Sequence, residues 1–109
     1  MAKADHNTDR QSVERLTDIV NIGPAVAGAL ESIGVTKPQQ LIGADGAALY
    51  EQLIESKREF YDPCVLDTFL AAVDYMNGNQ PRAWWHYTAD RKRRYTEDVD
   101  RLRKFPLAR

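Results

Sequence analysis

The sequence has little cysteine and no long apolar run, and both shortages exclude classes of protein. Cys64 is its one cysteine among 109 residues, which excludes an internal disulfide and a metal site built from several cysteines. No apolar run approaches the roughly 20 residues needed to cross a bilayer, so we expect no membrane partner. The first ten residues contain no apolar stretch of the kind found in secretory signals, and we expect a cytoplasmic protein.

Motifs of well-known enzyme classes are also missing. The sequence contains no glycine-rich phosphate loop of the Walker type, no G-x-S-x-G and no H-E-x-x-H. His86 has no cysteine and no second histidine near it. The acidic residues between positions 55 and 67 are divided among a helix end, a loop and a helix cap, which does not dictate a catalytic carboxylate pair. We therefore predict a protein that is not an enzyme and has no metal site.

Charge is distributed unevenly along the chain. Residues 82–109 carry nine Lys or Arg against four Asp or Glu, or +5, whereas residues 1–81 carry six against twelve, or −6. The densest basic segment is Arg91-Lys92-Arg93-Arg94. Such a run can contact several phosphate groups. A solvated basic end and a contact with the protein's own acidic face are the other interpretations.

The apolar residues recur at helical spacing, and no alternating run is long enough for a strand. Pro24 fits the first turn of a helix, and Gly34 suits a left-handed cap at its end. Helices are predicted over residues 13–20, 24–34, 36–43, 45–54 and 62–77. The prediction is an all-α protein, a small bundle of five to six helices.

Three parts are predicted along the chain. Residues 1–11 are polar and aperiodic, and we expect a disordered lead-in. Residues 12–87 form the helical domain. Residues 88–109 are a mostly charged basic tail with sparse apolar positions, either helical or disordered.

One segment interrupts the helical pattern with a turn, Val20-Asn21-Ile22-Gly23-Pro24-Ala25-Val26-Ala27-Gly28. Two short helices joined by this turn, over residues 16–30, resemble a helix-hairpin-helix motif. Its second, pseudo-repeated half is matched by Gly34-Val35-Thr36, Leu41 and Gly43-Ala44-Asp45. The resemblance implies tandem helix-hairpin-helix-like units within the bundle.

A narrower resemblance depends on two later segments, Asp62-Pro63-Cys64-Val65-Leu66 and Trp84-Trp85. In this order, and over residues 12–87, the chain resembles the small bacterial pathogenicity locus family. It is also similar to the C-terminal domain of TfoX-type competence regulators. These families are named for their genetic context more than for a reaction, so the resemblance implies a fold more than an activity.

The helix-hairpin-helix resemblance implies a phosphate site made of main-chain donors. Amides at the start of a helix have no intrahelical partner, and the helix dipole adds partial positive charge there. In this sequence the amides are those of Ile22, Gly23, Ala25 and Val26, because Pro24 has no N–H. The turn carbonyls of this class also hold a monovalent cation in some members; no other cofactor is implied.

The sequence departs from the DNA-binding form of this motif. Asn21 stands in place of the first glycine, and Ala25 stands where Lys or Arg is common. Across residues 16–43 the one positive side chain is Lys37. Because non-specific duplex affinity comes mainly from cations that neutralise phosphates, we expect weak DNA binding.

Two functions remain in competition. The first is a non-catalytic, sequence-independent DNA-binding or DNA-associated accessory module, which uses the turn amides and Arg91-Lys92-Arg93-Arg94. The second is a protein–protein interaction module, with a partner or a second copy docking on the acidic helices or on Trp84 and Trp85. A turn that binds nothing is the plain structural interpretation. The two tryptophans either pack on the helix at 62–77 or stack on bases. Cys64 is either a small buried hydrophobe or a reactive thiol.

Overall fold

The structure, a computed structural model, describes residues 3–108, and within this range the chain forms four α-helices and no β-strand. The helices are α1 (Pro24–Ser32), α2 (Gly46–Lys57), α3 (Pro63–Met76) and α4 (Thr88–Leu102). Single 3₁₀ turns lie at Arg10–Ser12, Leu16–Asp18, Pro38–Leu41 and Trp84–Tyr87. The predicted all-α class is confirmed, but there are four α-helices where five or six were expected.

The predicted first helix over residues 13–20 is wrong, because extended residues and one 3₁₀ turn occupy that segment. Its buried side chains are Val13, Leu16, Ile19 and Ile22. Their spacing is three residues each time, which is the period of a 3₁₀ helix and not the 3.6 of an α-helix. The Asp18 carboxylate accepts the Arg15 amide at 3.1 Å and holds the 3₁₀ turn at its start. The unit predicted as a helix-hairpin-helix therefore lacks its first α-helix.

The predicted helix over residues 36–43 is likewise a 3₁₀ turn, Pro38–Leu41. The Gln40 side-chain oxygen accepts the amides of Thr36 and Lys37, at 2.7 and 2.8 Å, and holds the turn at its start. At its end Gly43 has a φ of 75°, a left-handed conformation that favours glycine. A chain that turns here immediately after Leu41 cannot add a second helical turn.

Helix α3 lies at the centre of the core, where α2 and α4 pack against it, and α1 packs against α2. Its buried side chains include Leu66, Phe69, Tyr75 and Met76. Helix α2 packs closely against it, because a Cβ on Gly46 would lie only 3.1 Å from a Leu70 side-chain carbon. The remaining helices add Leu30 from α1, Tyr50, Leu53 and Ile54 from α2, and Val99 and Leu102 from α4.

Both ends of the described chain are bonded to this helical body. The Tyr75 hydroxyl donates to the Asp5 carbonyl at 2.7 Å, and Arg10 Nε donates to the Tyr75 carbonyl at 2.7 Å. Near the other end, Phe60 and Leu107 form an isolated parallel bridge. Residues 3–11, predicted as a disordered lead-in, thus lie against α3, while Met1 and Ala2 fall outside the described residues. Of the two alternatives for residues 88–109, the helical one holds for residues 88–102.

The longest helix is α4 with 15 residues, and its sequence is rich in charge. No helix within residues 3–108 combines the length and apolar character that a bilayer crossing needs.

Candidate nucleic-acid interface

The turn before α1 leaves main-chain donors without acceptors. Asn21 has a φ of 68°, a left-handed conformation that asparagine adopts at low cost. Gly23 then precedes α1 in an extended conformation and offers no side chain to cap the helix. Within residues 3–108, the amides of Gly23, Ala25 and Val26 find no hydrogen-bond acceptor. All three residues are at least partly exposed.

Ile22 was predicted as a fourth donor, and the structure assigns it to the core. Its amide donates to the Ile19 carbonyl at 3.1 Å, and its side chain is fully buried. The amide is therefore not available to a phosphate group. The reason is the tight 3₁₀-like spacing of the preceding segment, which brings the Ile19 carbonyl under this N–H.

A cation that the sequence reasoning missed lies at the turn. The Lys3 ammonium donates to the Ile22 carbonyl at 2.6 Å and also bonds to the Thr17 carbonyl. These carbonyls are the kind of ligand that a monovalent cation at the turn would need. Because the ammonium already holds them, the residues do not fit an additional cation, and Lys3 supplies the positive charge. No spacing rule reveals a contact between residues 19 positions apart.

The same turn is bonded to the segment that follows α3. Asn21 Nδ2 donates to the Arg82 carbonyl at 2.8 Å, and the Arg82 side chain is exposed. Beyond Arg82 an open polar cavity of about 390 Å³ begins. Its lining residues are His6, Asp74, Gly78, Asn79, Gln80, Arg82, His86 and Tyr87. The hydrogen bond from Asn21 to Arg82 therefore joins the turn that carries the unpaired amides to a residue that lines the cavity.

The basic run of α4 divides into one buried cation and three exposed ones. Arg91 Nε donates to Asp67 Oδ1 at 2.9 Å, and the Asp67 side chain is fully buried. The Thr88 hydroxyl donates to the other oxygen of Asp67 at 2.8 Å. The Arg91 side chain is only 12% exposed, so it fastens α4 to α3 and is not free for a phosphate group. For this residue the contact with the protein's own acidic groups is the correct interpretation.

Lys92, Arg93 and Arg94 remain at the surface. Arg93 and Arg94 both pair with Asp90, the latter at 3.3 Å. Exposed pairs of this kind contribute little and exchange readily, so all three side chains can still attract an anion. Two of them share one carboxylate, so these three cations and Asp90 together carry a net charge of +2.

The two tryptophans have different surroundings. Trp84 is half-buried, and its ring meets that of Trp85 nearly edge-on, with centroids 5.7 Å apart and planes at 82°. Trp85 is 62% exposed. Its ring also lies near that of His86, with centroids 6.2 Å apart and planes at 28°. One ring of the pair is thus partly packed, and the other presents its surface to solvent.

Cys64 lies at the start of α3, in surroundings that disfavour its thiolate. Burial and, after it, the neighbouring Asp62 carboxylate raise the pKa of the thiol to about 11. Asp62 also accepts the Cys64 amide at 2.8 Å and so caps the helix. Residues 3–108 contain no group of three or more His, Cys, Asp or Glu that would hold a metal ion.

Comparisons with known proteins place this geometry in a family. The model of the family described as "Pathogenicity locus" matches residues 9–93, a range that includes the turn, all of the cavity lining except His6, and the first part of α4. The chain is 46% identical over 78 residues to the mitomycin resistance protein McrB of Streptomyces lavendulae, across 72% of this chain and 74% of that protein. No solved structure matches.

Proposed function

This chain belongs to the Pathogenicity locus family, and we propose that it is a non-catalytic, sequence-independent DNA-binding module. The observation that carries the proposal is the set of three unpaired amides at Gly23, Ala25 and Val26. They lie at the positive end of the α1 dipole, where an anionic oxygen is favoured. A phosphate group would satisfy donors that find no acceptor within residues 3–108.

Positive charge near the turn supports the same function. Lys3 is bonded to the turn carbonyls, and the Arg82 main chain is bonded to Asn21. Lys92, Arg93 and Arg94 would add attraction over a longer range, falling off within about 10 Å at 0.1 M salt. Ala25 contributes no charge, so we expect weak binding that does not distinguish sequences.

The likeness to a helix-hairpin-helix motif is part of this proposal. We propose that the chain retains the phosphate-binding turn and the second helix of that motif, while a 3₁₀ turn replaces the first helix. The similarity to TfoX-type competence regulators is also proposed, over residues 12–87, on Asp62-Pro63-Cys64-Val65-Leu66 and Trp84-Trp85.

A salt titration of DNA binding by fluorescence anisotropy tests the proposal. We expect duplex affinity to fall steeply with salt, and the triple variant Lys92→Ala, Arg93→Ala, Arg94→Ala to lower the slope by up to about 3. Gly23→Val should weaken binding at constant slope, because its side chain holds the phosphate off the amides. Gly28→Val is the matched control, since Gly28 is an exposed position of the same helix with open space around it. Absence of any binding below millimolar concentration at low salt would overturn the proposal.

A second candidate is a protein-interaction module, favoured by the 62% exposure of Trp85 and the 76% exposure of Leu107. Exposed large apolar side chains are common at protein interfaces. This candidate predicts a homodimer, or a partner whose capture depends on Trp84 or Trp85. A strictly monomeric species by light scattering, with no partner sensitive to these residues, would contradict it.

The relative's name suggests, as a further proposal, a role in resistance to mitomycin. Expression of the chain in a sensitive host should then raise survival in mitomycin. If the turn is responsible, Gly23→Val should remove the protection and Gly28→Val should retain it.

A further inference from the structure

The Trp85 side chain is 62% exposed, although hydrogen bonds hold the backbone of its segment in place. Its 3₁₀ turn, Trp84–Tyr87, is fixed by a bond from the His86 amide to the Ala83 carbonyl, at 3.1 Å. The Tyr87 hydroxyl donates to Asp74 on α3 at 2.6 Å. A ring held in place at the surface loses little freedom when it binds a flat partner. Tryptophan is usually well buried, so its exposure here calls for an explanation.

The cavity beside this turn offers donors for an anion. Arg82 lines it, and within residues 3–108 its side chain forms neither a hydrogen bond nor a salt bridge. The one carboxylate in the lining, Asp74, already accepts from Tyr87 and from Asn79 Nδ2 at 2.6 Å. The Asp74 carboxylate is thus hydrogen-bonded by protein donors, whereas the Arg82 guanidinium is available to an anion. The cavity volume of about 390 Å³ falls in the range of small-ligand sites.

The aromatic surface and the anion donors form one continuous region. His86 both contacts the Trp85 ring and lines the cavity. Arg82 lines the cavity and is bonded through its carbonyl to Asn21, two residues before the unpaired amide of Gly23. Aromatic rings that stack on bases, next to groups that bind phosphates, are the arrangement used for single strands. Intact duplex hides its base faces, and only an unpaired base can reach such a ring.

We infer that Arg82, Trp85 and His86, which we name the Trp85 platform, bind an unpaired nucleobase and its adjoining phosphate. The protein then prefers single-stranded nucleic acid, or an unpaired duplex end, over a blunt duplex. This inference rests on the proposed nucleic-acid binding and specifies the form that is bound. Stacking is indifferent to base identity, so the preference is for strandedness and not for sequence.

The test compares four probes of one sequence by fluorescence anisotropy: a single-stranded DNA 20-mer, the same RNA, a blunt DNA duplex and a duplex with an overhang. We expect the single strands and the overhang to bind about fivefold or more tightly than the blunt duplex. Trp85→Ala should remove this difference, and Trp85→Phe should restore most of it because a flat ring returns. Binding of the single strand should also quench tryptophan fluorescence. A higher affinity for the RNA than for the DNA strand would support the platform and identify RNA as the ligand.

Matched controls separate stacking from folding and from general attraction. Leu107→Ala removes another highly exposed apolar side chain, outside the platform, and should leave all four affinities unchanged. Arg101→Ala removes an exposed cation outside the platform, and it should weaken single-strand binding less than Arg82→Ala does. Thermal melting by circular dichroism should show Trp85→Ala folded, since its side chain is mostly exposed.

Two results would overturn the inference while leaving the proposed function in place. The first is equal affinity for blunt duplex and single strand, and the second is an unchanged single-strand affinity in Trp85→Ala. A change of oligomeric state in Trp85→Ala without a change in DNA binding would assign the platform to a protein partner and overturn the inference. If the wild type binds none of the probes, the proposed function and the inference both fail.

Discussion

Two helices of this protein begin with proline, and their first turns are satisfied in different ways. Helix α3 is preceded by Asp62, whose carboxylate accepts the Cys64 amide at 2.8 Å. Helix α1 is preceded by Gly23, which has no side chain, and its first amides have no acceptor within residues 3–108. The same sequence rule, proline at the first helical position, therefore produces one closed start and one open start.

The closed start belongs to a region held by buried polar contacts. One turn into α3, Asp67 is fully buried and bonded to Arg91 and Thr88 of α4. The start of α1 has the opposite character. Lys3 donates to the Ile22 carbonyl and Asn21 Nδ2 donates to the Arg82 carbonyl, so neither contact involves the unpaired main-chain amides. Under the proposed function, the first region serves stability and the second serves binding. Substitutions that exchange or remove these features test the comparison.

The largest effect is expected at the buried ion pair. Arg91→Ala leaves the Asp67 charge buried without its partner, and we expect a loss of about 3–5 kcal/mol in the free energy of unfolding. Arg94→Ala removes an exposed pair from the same helix and should change it by about 0.5 kcal/mol or less. Urea unfolding monitored by circular dichroism measures both. Equal losses in the two variants would show that Arg91 has no special structural role.

A compensated variant sharpens that result. Replacing both charges, Asp67→Leu with Arg91→Met, removes the unpaired charge and should recover much of the stability lost in Arg91→Ala. DNA binding should fall only slightly, and by a similar amount, in Arg91→Ala and in the double variant, because the Arg91 side chain is not exposed to a ligand. A large loss of DNA binding in the folded double variant would mean that Arg91 does contact phosphate.

Local rules of sequence predicted the starts of α1, α2 and α3 correctly. Asp45 caps α2 through the amides of Ala47 and Ala48, and Asp62 caps α3, as their side-chain chemistry requires. Gly34 adopts the left-handed conformation expected at the end of α1, with a φ of 92°. These features depend on residues within four positions of one another. They can therefore be predicted from the sequence without knowledge of the fold.

Features that depend on distant residues were not predictable from local patterns. The bond from Lys3 to the Ile22 carbonyl joins residues 19 positions apart, and the bond from Asn21 to Arg82 joins residues 61 positions apart. Arg91 was interpreted as one of four equivalent cations, because nothing in a basic run marks the member that faces a buried Asp67. The segment from Val13 to Ile22 did contain a usable signal, since its apolar spacing of three differs from the 3.6 of an α-helix.

The closed start of α3 should also suppress the chemistry of its cysteine. A thiol near a helix N-terminus is commonly activated, but burial and Asp62 raise the pKa of Cys64 to about 11. At pH 8 we expect alkylation by a maleimide or iodoacetamide about tenfold slower than for a free cysteine, because the thiolate fraction falls more than its nucleophilicity rises. Asp62→Asn should accelerate the reaction. A rate equal to that of free cysteine would contradict the assigned surroundings of Cys64.

Removing the cap of α3 makes its start resemble that of α1. Asp62→Ala leaves the Cys64 amide unpaired, and we expect a loss of about 1 kcal/mol in the free energy of unfolding. Thermal or urea unfolding measures it. Gln52→Ala, at an exposed position in α2, is a control that should have almost no effect. An effect of Asp62→Ala no larger than this control would mean that the cap contributes nothing.

The same cap makes a prediction about pH. The hydrogen bond from the Cys64 amide lowers the pKa of Asp62 below its ordinary value. A carboxyl with a lowered pKa in the folded state contributes stability above the unfolded pKa of about 3.9 and loses it as pH falls through the folded value. The difference in melting temperature between wild type and Asp62→Asn should therefore be constant near pH 6 and shrink below about pH 4. A difference that grows on acidification would have the wrong sign.

The smallest change in stability, with the clearest consequence for function, is expected when the open start is closed. Gly23→Asp places a carboxylate at the helix cap, where the φ of −95° is ordinary and a Cβ meets no atom within 4 Å. The carboxylate can accept the Ala25 or Val26 amide, as Asp62 accepts that of Cys64, and stability should rise by a few tenths of a kcal/mol. DNA binding should fall, because the donors are occupied and the added charge repels phosphate. Gly23→Ala adds a Cβ without a cap and should reduce binding less. Unchanged affinity in a stabilised Gly23→Asp variant would mean that the amides at the start of α1 are not the phosphate site.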